Sequence, residues 1–215
     1  MELPYVSEIE IVSLLKKRNL FTNNIDRAIT LANQAHRGQF RDSGKPYINE
    51  HVFPIIVQIL SRDLRGDIDL ERLLLDGILH DVIEDSDISP VEIRSQFGKS
   101  VEEDVKALSK TTEENSVTTQ EASKQSNISH VARLMRSSEY AKVIKLEDRI
   151  QNLSCIVNEN FHKKPEKYIR YAQESYSTYS PLARLPIFGI DYDRLLYEAQ
   201  HRVAKLASEY QKTLR

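Results

Sequence analysis

The chain is poor in the residues and runs that make disulfides, tight turns and membrane spans. Its 215 residues include one Cys, no Trp, 6 Gly and 7 Pro. A single cysteine, Cys155, excludes an intrachain disulfide framework and a four-Cys metal site, and it suits a reducing compartment. No window approaches the ~18 consecutive apolar residues of a membrane span. The charged N-terminus also lacks a signal-peptide core. We therefore expect a cytoplasmic protein with no membrane partner.

The sequence also lacks a large excess of positive or negative charge. The sequence holds 30 Lys+Arg against 32 Asp+Glu, a net charge of −2. Such a balance gives no global attraction for nucleic acid, so a polyanionic ligand would have to bind at a local basic cluster. The length predicts a single domain over residues 1–215.

Apolar residues recur at spacings of three and four, which predicts an all-α protein. In one segment Ile25, Ala28, Ile29 and Ala32 form an apolar stripe, with Asn23 or Asn24 available as N-cap. The predicted helices span about residues 24–36, 51–60, 70–84, 90–97, 99–108, 140–157, 165–179 and 192–214. Residues 111–130 are polar and predict a mobile flap or surface connection.

The ionisable side chains that could support catalysis are concentrated in residues 77–87, GILHDVIEDSD. On a continuous helix, Glu84 lies one turn after His80, and Asp85 one turn after Asp81. Three carboxylates and an imidazole on a largely apolar helix are costly unless a positive charge lies between them, and a divalent cation meets that need. The alternative interpretation is a solvated acidic helix end.

Two further residues are candidate ligands on other predicted helices. His51 begins one helix, and Asp148 lies off the apolar stripe of another, with Asn152 one turn beyond it. Two imidazoles and two carboxylates make a mixed site with room for water, which suits Mn²⁺ or Fe²⁺ better than a closed structural Zn²⁺.

Four strings resemble a known family in their order and separation. They are AHRGQFRDSGKPYINEH, LHDVIEDS, IKLEDRIQNL and YSPLARL, within about residues 24–190. Together they resemble the hydrolase domain of the RelA/SpoT homologues in the HD superfamily. The resemblance implies an all-helical HD-domain bundle that binds Mn²⁺ and hydrolyses the 3′-pyrophosphate of ppGpp and pppGpp to give GDP or GTP. Because the sequence stops at Arg215, we expect a stand-alone small alarmone hydrolase.

The resemblance also assigns roles to residues. It implies the metal ligands His51, His80, Asp81 and Asp148, and the water-activating pair Glu84 and Asp85. It places Arg41, Tyr47 and Asn152 against the nucleotide. Lys45 and Arg149 are nearby cations for phosphoryl charge, and Tyr179 is a candidate wall of the nucleotide pocket.

Several positions depart from the family pattern. Glu50 adds one residue between Tyr47 and His51, so we expect a bulge in the loop or a later helix start. Asp42 stands where a Lys is common, which removes one cation unless Lys45 replaces it. Further changes are Glu147, Gln151 and Cys155. We expect these departures to affect substrate preference more than the type of reaction.

Two other functions stay open at this point. One is an HD phosphohydrolase of another nucleotide, such as an adenine alarmone or the 2′-phosphate of NADPH, which Asp42 and Cys155 keep plausible. The other is a catalytically silent nucleotide-sensing module, in which His51 no longer binds the ion. The sequence is compatible with a homo-oligomer.

Overall fold

A computed structural model describes residues 5–111, 116, 118–158, 161 and 164–213, and it confirms the all-α class. The helices are α1 (Glu8–Lys17), α2 (Asn23–Ala35), a π-helical turn (Ile48–Val52), α3 (Phe53–Leu60), α4 (Leu70–Leu79), α5 (Val82–Asp85), α6 (Pro90–Phe97), α7 (Lys99–Leu108), α8 (Gln120–Leu134), α9 (Glu139–Asn158), α10 (Pro165–Ala183) and α11 (Tyr192–Thr213). Among these described residues, β pairing is limited to the isolated bridges Phe40–Pro46 and Ile187–Ile190. None of the described helices has the length and apolar character needed to span a bilayer.

Helix α9 lies at the centre of the bundle. It packs against α3, α4, α7, α10, α11 and the π-helical turn. Its predicted apolar stripe, Val143, Leu146, Ile150 and Leu153, is buried. Because apolar neighbours surround α9, polar side chains on it must find partners inside the protein. The organisation of residues 1–215 as one domain stays a prediction.

The start of α2 differs from the prediction. The N-cap is Thr22, whose Oγ1 accepts a hydrogen bond from the Ile25 N–H at 3.2 Å. Thr22 is extended, with φ −98° and ψ 171°, whereas Asn23 and Asn24 are already helical. The cap therefore belongs to the last extended residue and not to the nearby asparagines.

The continuous helix predicted over residues 70–84 is broken. Helix α4 ends at Leu79, His80 and Asp81 form a turn, and α5 begins at Val82. Helix α5 follows the break directly, and its first bond joins the Asp85 N–H to the Asp81 carbonyl at 2.9 Å. At the break, the His80 ring is held by the Gly77 carbonyl, 2.9 Å from Nδ1. The ring and the Asp81 carboxylate are thereby brought together, whereas a regular helix separates adjacent side chains by about 100°.

The helix predicted to start near His51 begins earlier, at Ile48, as a π-helical turn. In it the Phe53 N–H donates to the carbonyl of Ile48, five residues before. A π turn holds one residue more than an α turn. The extra residue is thus absorbed inside a helix, and neither a loop bulge nor a later helix start is needed.

Part of the segment predicted as a flap or connection is helical. Helix α8 starts after Thr119, whose Oγ1 accepts from the Ala122 N–H at 3.2 Å. Its C-terminal half packs on the end of α7, where buried His130 donates from Nε2 to the Ala107 carbonyl at 2.9 Å. The prediction failed here because the buried apolar residues of this helix, Val131 and Leu134, lie beyond residue 130, and within 111–130 its buried contacts are polar, which apolar periodicity does not detect. Residues 112–115 and 117 lie outside the described residues.

Candidate active site

Four side chains from distant segments converge below a cavity. They are His51 of the π-helical turn, His80 and Asp81 between α4 and α5, and Asp148 of α9, and we call them the four-residue centre. The two imidazole Nε2 atoms lie 3.3 Å apart. His80 Nε2 is 2.8 Å from an Asp81 oxygen, and His51 Nε2 is 3.4 Å from an Asp148 oxygen. The structure therefore brings all four predicted metal ligands together.

The donor atoms of the four-residue centre fit a divalent cation. His80 Nδ1 bonds to the Gly77 carbonyl, so in the neutral ring the lone pair is on Nε2. That lone pair faces His51 Nε2 at 3.3 Å and the Asp81 carboxylate at 2.8 Å. His51, His80 and Asp81 offer ligand atoms that all lie within 4.8 Å of one another. Buried acceptors crowded in this way need a shared cation, and two nitrogens with carboxylate oxygens suit Mn²⁺, Fe²⁺ or Zn²⁺.

Local charges set the protonation of these groups. Burial would raise the pKa of Asp148, but Arg149 and Lys145 hold it well below its usual range. Burial would likewise raise the pKa of Asp81, and His80 and His51 lower it. The His80 pKa behaves in the opposite way, because burial lowers it and the carboxylates raise it above its ordinary value. Both carboxylates are thus ionised, and they attract positive charge to the space beside them.

Glu84 and Asp85 lie at the rim of the four-residue centre. Glu84 is exposed and its Oε2 accepts from the Lys110 backbone N–H at 3.2 Å. Burial and the carboxylates of Asp81 and Glu84 raise the pKa of Asp85 to about 6. A carboxylate with that pKa is ionised at neutral pH and still takes a proton readily, as a general base requires.

A polar cavity of about 310 Å³ opens above the four-residue centre. The centre itself contributes Asp81 and Asp148, and Glu84 and Asp85 line the cavity beside them. The other walls carry four cations, Arg41, Lys110, Lys145 and Arg149. An acidic floor facing cationic walls is suited to a metal ion together with an anionic ligand.

An aromatic cavity of about 320 Å³ adjoins the polar cavity. Arg41, Tyr47, Asn152 and Tyr171 line both cavities, which makes them continuous. The aromatic cavity is also lined by Phe40, Asp42, Cys155, Ile156, Lys167 and Tyr168. Aromatic and aliphatic walls with a few polar atoms suit a planar heterocycle.

The predicted substrate residues Arg41, Tyr47 and Asn152 all lie at this junction. Arg41 donates to Asn152 Oδ1 at 3.0 Å, and its guanidinium lies 5.7 Å from the Tyr47 ring centroid. The Tyr47 hydroxyl donates to Asp81, and the Asn152 amide donates to Asp148. These contacts join the cavity walls directly to the four-residue centre.

Arg149 and Tyr179 line the polar cavity as predicted, and they touch each other. The Arg149 guanidinium lies 5.4 Å from the Tyr179 ring centroid and 2.8 Å from Asp148. Its Nη1 also donates to the Tyr171 hydroxyl at 3.0 Å. Lys45 behaves differently, because its Nζ lies 3.3 Å from buried Glu50 and it lines neither the polar nor the aromatic cavity. The prediction that Lys45 faces the ligand is therefore not supported by its position.

Three residues of the polar cavity were not among the predicted site residues. Lys110 is one, although it lies directly after the buried end of α7. Tyr171 is the second, and its spacing from Tyr179 along α10 was the available signal. Lys145 is the third. Its Nζ lies 3.1 Å from Asp148, three residues along the same helix.

Comparisons with known proteins agree with this geometry. The profile of the HD domain family matches residues 28–188. A probable guanosine-3′,5′-bis(diphosphate) 3′-pyrophosphohydrolase of Synechocystis sp. is 35% identical over 170 residues, 79% of this chain and 21% of the relative. The guanosine-3′,5′-bis(diphosphate) 3′-pyrophosphohydrolase of Haemophilus influenzae is 34% identical over 174 residues, 80% of this chain and 24% of the relative.

The bifunctional (p)ppGpp synthase/hydrolase SpoT of Escherichia coli is 33% identical over 186 residues, 83% of this chain and 25% of the relative. The chain thus spans only 21–25% of the length of these three curated relatives. A solved structure described as a metazoan ortholog of SpoT that hydrolyzes ppGpp superposes with a TM-score of 0.63 at 24% identity. The match covers 85% of this chain and 96% of that one, and it supports the fold.

Proposed function

The chain belongs to the HD domain family, and from that premise we propose that it is a metal-dependent hydrolase that removes the 3′-pyrophosphate of ppGpp and pppGpp. The products are GDP or GTP and pyrophosphate. One observation carries the proposal: the four-residue centre faces, through Asp81 and Asp148, a cavity whose other walls hold four cations. The names of the curated relatives support the choice of substrate.

The residues of the four-residue centre would hold the cofactor, which we propose to be Mn²⁺. Its mixed nitrogen and oxygen ligands and the open side toward the cavity support Mn²⁺ over a closed structural Zn²⁺. When bound, the ion supplies a Lewis acid that polarises a phosphoryl oxygen and lowers the pKa of water.

The chain's own residues supply the rest of the reaction. Asp85 accepts the proton of the attacking water, and exposed Glu84 shares the rim of the cavity with it. The water oxygen forms a bond to phosphorus while the bond from phosphorus to the ribose 3′ oxygen breaks, and the proton taken from the water balances the one that the leaving 3′ oxygen gains as a hydroxyl. Negative charge in this step lies on the phosphoryl oxygens and on the leaving oxygen. Arg41, Lys145 and Arg149 lie in the cavity wall, where they can neutralise that charge.

The aromatic cavity is the proposed base site, and Asp42 supports guanine as the base. Its carboxylate lines this cavity, 3.2 Å from the Tyr168 hydroxyl and 3.9 Å from Lys167 Nζ. An ionised carboxylate only accepts hydrogen bonds. Guanine presents two adjacent donors, its N1–H and its 2-amino group, whereas adenine presents one donor beside an acceptor. An acceptor-only group therefore favours guanine over adenine.

The position of His51 supports an enzyme over a silent sensor. The sensor hypothesis required that the extra residue before His51 move it away from the other ligands. Instead its Nε2 lies within 3.5 Å of His80, Asp81 and Asp148. The proposal places the reaction in the cytoplasm and involves neither nucleic acid nor membrane.

The decisive experiment is a substrate panel with identified products. The purified protein is treated with EDTA and dialysed, then assayed with Mn²⁺, Mg²⁺, Fe²⁺ or Zn²⁺ against ppGpp, pppGpp, ppApp and NADPH. We expect Mn²⁺ to restore the highest activity and ppGpp to yield GDP and pyrophosphate, identified by phosphorus NMR. Release of orthophosphate from NADPH alone, or no product from any substrate, contradicts the proposal.

A further inference from the structure

A buried carboxylate lies next to the four-residue centre but lines neither cavity. Glu50 is 1% exposed and precedes His51 in the π-helical turn. Its side chain accepts a hydrogen bond from the Ser43 hydroxyl, and its Oε1 lies 3.3 Å from Lys45 Nζ. Burying an ionised carboxylate is costly unless it is paired. Glu50 is paired with Ser43 and Lys45, which both belong to the loop of residues 40–47.

That loop carries four cavity-lining residues, Phe40, Arg41, Asp42 and Tyr47, of which Arg41 and Tyr47 line both cavities. Arg41 and Tyr47 flank Ser43 and Lys45 in the sequence, and the loop is closed by the Arg41 N–H bond to the Lys45 carbonyl at 2.9 Å. The side chain of Glu50 therefore joins the loop that lines both cavities to the turn that bears His51.

The backbone of Glu50 makes a second link. The Glu50 carbonyl accepts a hydrogen bond from Gln151 Nε2 at 3.3 Å, and the Cys155 thiol lies 3.8 Å from it. Both partners are on α9, the helix that carries Asp148. Glu50 is thus tied to the loop by its side chain and to α9 by its backbone.

We infer that Glu50 is a positioning residue: its pair with Lys45 holds the π-helical turn so that His51 faces the other three ligands. Lys45 then acts through Glu50 and not on the substrate. The inference rests on the proposed function for the metal, and it goes beyond it by naming what keeps His51 in place. Removing such a support of a metal ligand typically weakens metal binding ~10–100-fold.

The test replaces each partner alone and both together. The variants are Lys45→Met, Glu50→Gln and the double variant, and Mn²⁺ affinity is measured by calorimetry on the full chain without substrate. We expect each single variant to raise the Mn²⁺ Kd by ~10-fold or more. The double variant should lose no more Mn²⁺ affinity than the weaker-binding single variant, because both substitutions remove the same contact. Unchanged Mn²⁺ affinity in both single variants overturns the inference.

Kinetics separate positioning from direct contact with substrate. If Lys45 positions His51, saturating Mn²⁺ returns the KM of Lys45→Met for ppGpp to the parental value. If Lys45 instead binds phosphate, KM stays raised at saturating Mn²⁺ and the Mn²⁺ Kd does not change, which contradicts the inference. Should the protein hydrolyse nothing, the proposed function fails, whereas the Mn²⁺ titration still decides the role of Glu50.

A matched ion pair on the surface serves as control. Lys99 and Glu103 also lie 3.3 Å apart, but both are exposed. Lys99→Met and Glu103→Gln should leave Mn²⁺ affinity unchanged. Thermal melting of every variant checks the fold, and the near-isosteric Glu50→Gln keeps the test informative where a larger truncation would unfold the turn.

Discussion

His80 Nδ1 lies 2.9 Å from the carbonyl oxygen of Gly77, one turn earlier in the chain. A carbonyl only accepts, so this bond keeps a proton on Nδ1 and directs the other ring nitrogen toward His51 and the carboxylates. The orientation of His80 is therefore set by the backbone of α4 before any ion binds. The role of the four-residue centre as a metal site leads to the first prediction.

Asp81→Ala is expected to abolish Mn²⁺ binding and hydrolysis together. The Asp81 carboxylate lies 2.8 Å from His80 Nε2 and 3.5 Å from His51 Nε2, so its loss removes an anionic ligand from the centre. Calorimetry gives the binding and the phosphate assay gives the rate. Asp87→Ala, an exposed carboxylate nearby in the sequence, is the control. If Asp81→Ala still hydrolyses ppGpp, Asp81 is not a required metal ligand.

Asp85→Asn is expected to keep Mn²⁺ binding and to lower kcat by about 10²–10⁴-fold, since an amide cannot accept the proton of water. The pH profile provides a second readout. With a pKa of about 6, Asp85 is ionised above that pH and takes up a proton below it. A cation bound beside Asp81 lowers that pKa, so at saturating Mn²⁺ we expect kcat of the parental protein to fall only at a pH below about 6. An unchanged kcat in Asp85→Asn makes Glu84 the base.

Asp42→Asn is expected to weaken the discrimination between guanine and adenine. The amide presents a donor as well as an acceptor, so it no longer disfavours the adenine edge. Comparing kcat/KM for ppGpp and ppApp should show their ratio fall by about tenfold, equivalent to ~1.4 kcal/mol. Lys167→Met, which leaves the Asp42 carboxylate in the cavity, should change the ratio less. Equal ratios in the parental protein and Asp42→Asn rule out Asp42 as a guanine reader.

Arg62→Met is expected to destabilise the fold by about 3–5 kcal/mol, because it leaves a buried charge without its partner. Arg62 binds both oxygens of the fully buried Glu147 at 2.7 Å, and Tyr192 donates to the same carboxylate at 3.0 Å. Urea unfolding measures the loss. Arg65→Met breaks an exposed pair with Asp63 and should cost about 0–1 kcal/mol. Equal losses at the two sites contradict the argument.

Asp76→Asn is expected to stabilise the protein at pH 8 more than at pH 5. Burial and the carboxylate of Asp104 raise the pKa of Asp76 well above its ordinary value. A raised carboxyl pKa means that the folded state holds the proton more tightly, so stability declines as pH rises from about 4 through the folded pKa. Asparagine does not titrate, so the variant avoids this loss of stability. The loss is ~1.4 kcal/mol for each unit by which the folded pKa exceeds the unfolded pKa. A difference in unfolding free energy between variant and parent that is no more favourable to the variant at pH 8 than at pH 5 contradicts this sign.

The residue types of the candidate site were predictable, but several of its contacts were not. His80 and Asp81 were found because ionisable groups in an apolar helix need a partner, and Asp148 because it lies off its helix's apolar stripe. The turn at His80 was missed because apolar periodicity runs across it unbroken. Lys45 was misplaced because nearness in sequence does not show which buried carboxylate a flexible cation meets. Glu50 provides that carboxylate 3.3 Å away.

Local patterning was enough to specify an all-helical chain, the buried faces of its helices and a small set of ionisable residues with no other obvious purpose. Those properties depend on neighbours three or four residues apart, which the amino-acid order contains directly. The meeting of His51 with Asp148, nearly a hundred positions later, came only from packing the π-helical turn against α9. Packing alone also decided that Lys110 faces the polar cavity while Lys45 turns away from it. Such choices depend on which distant groups share a buried space, and no local spacing encodes them.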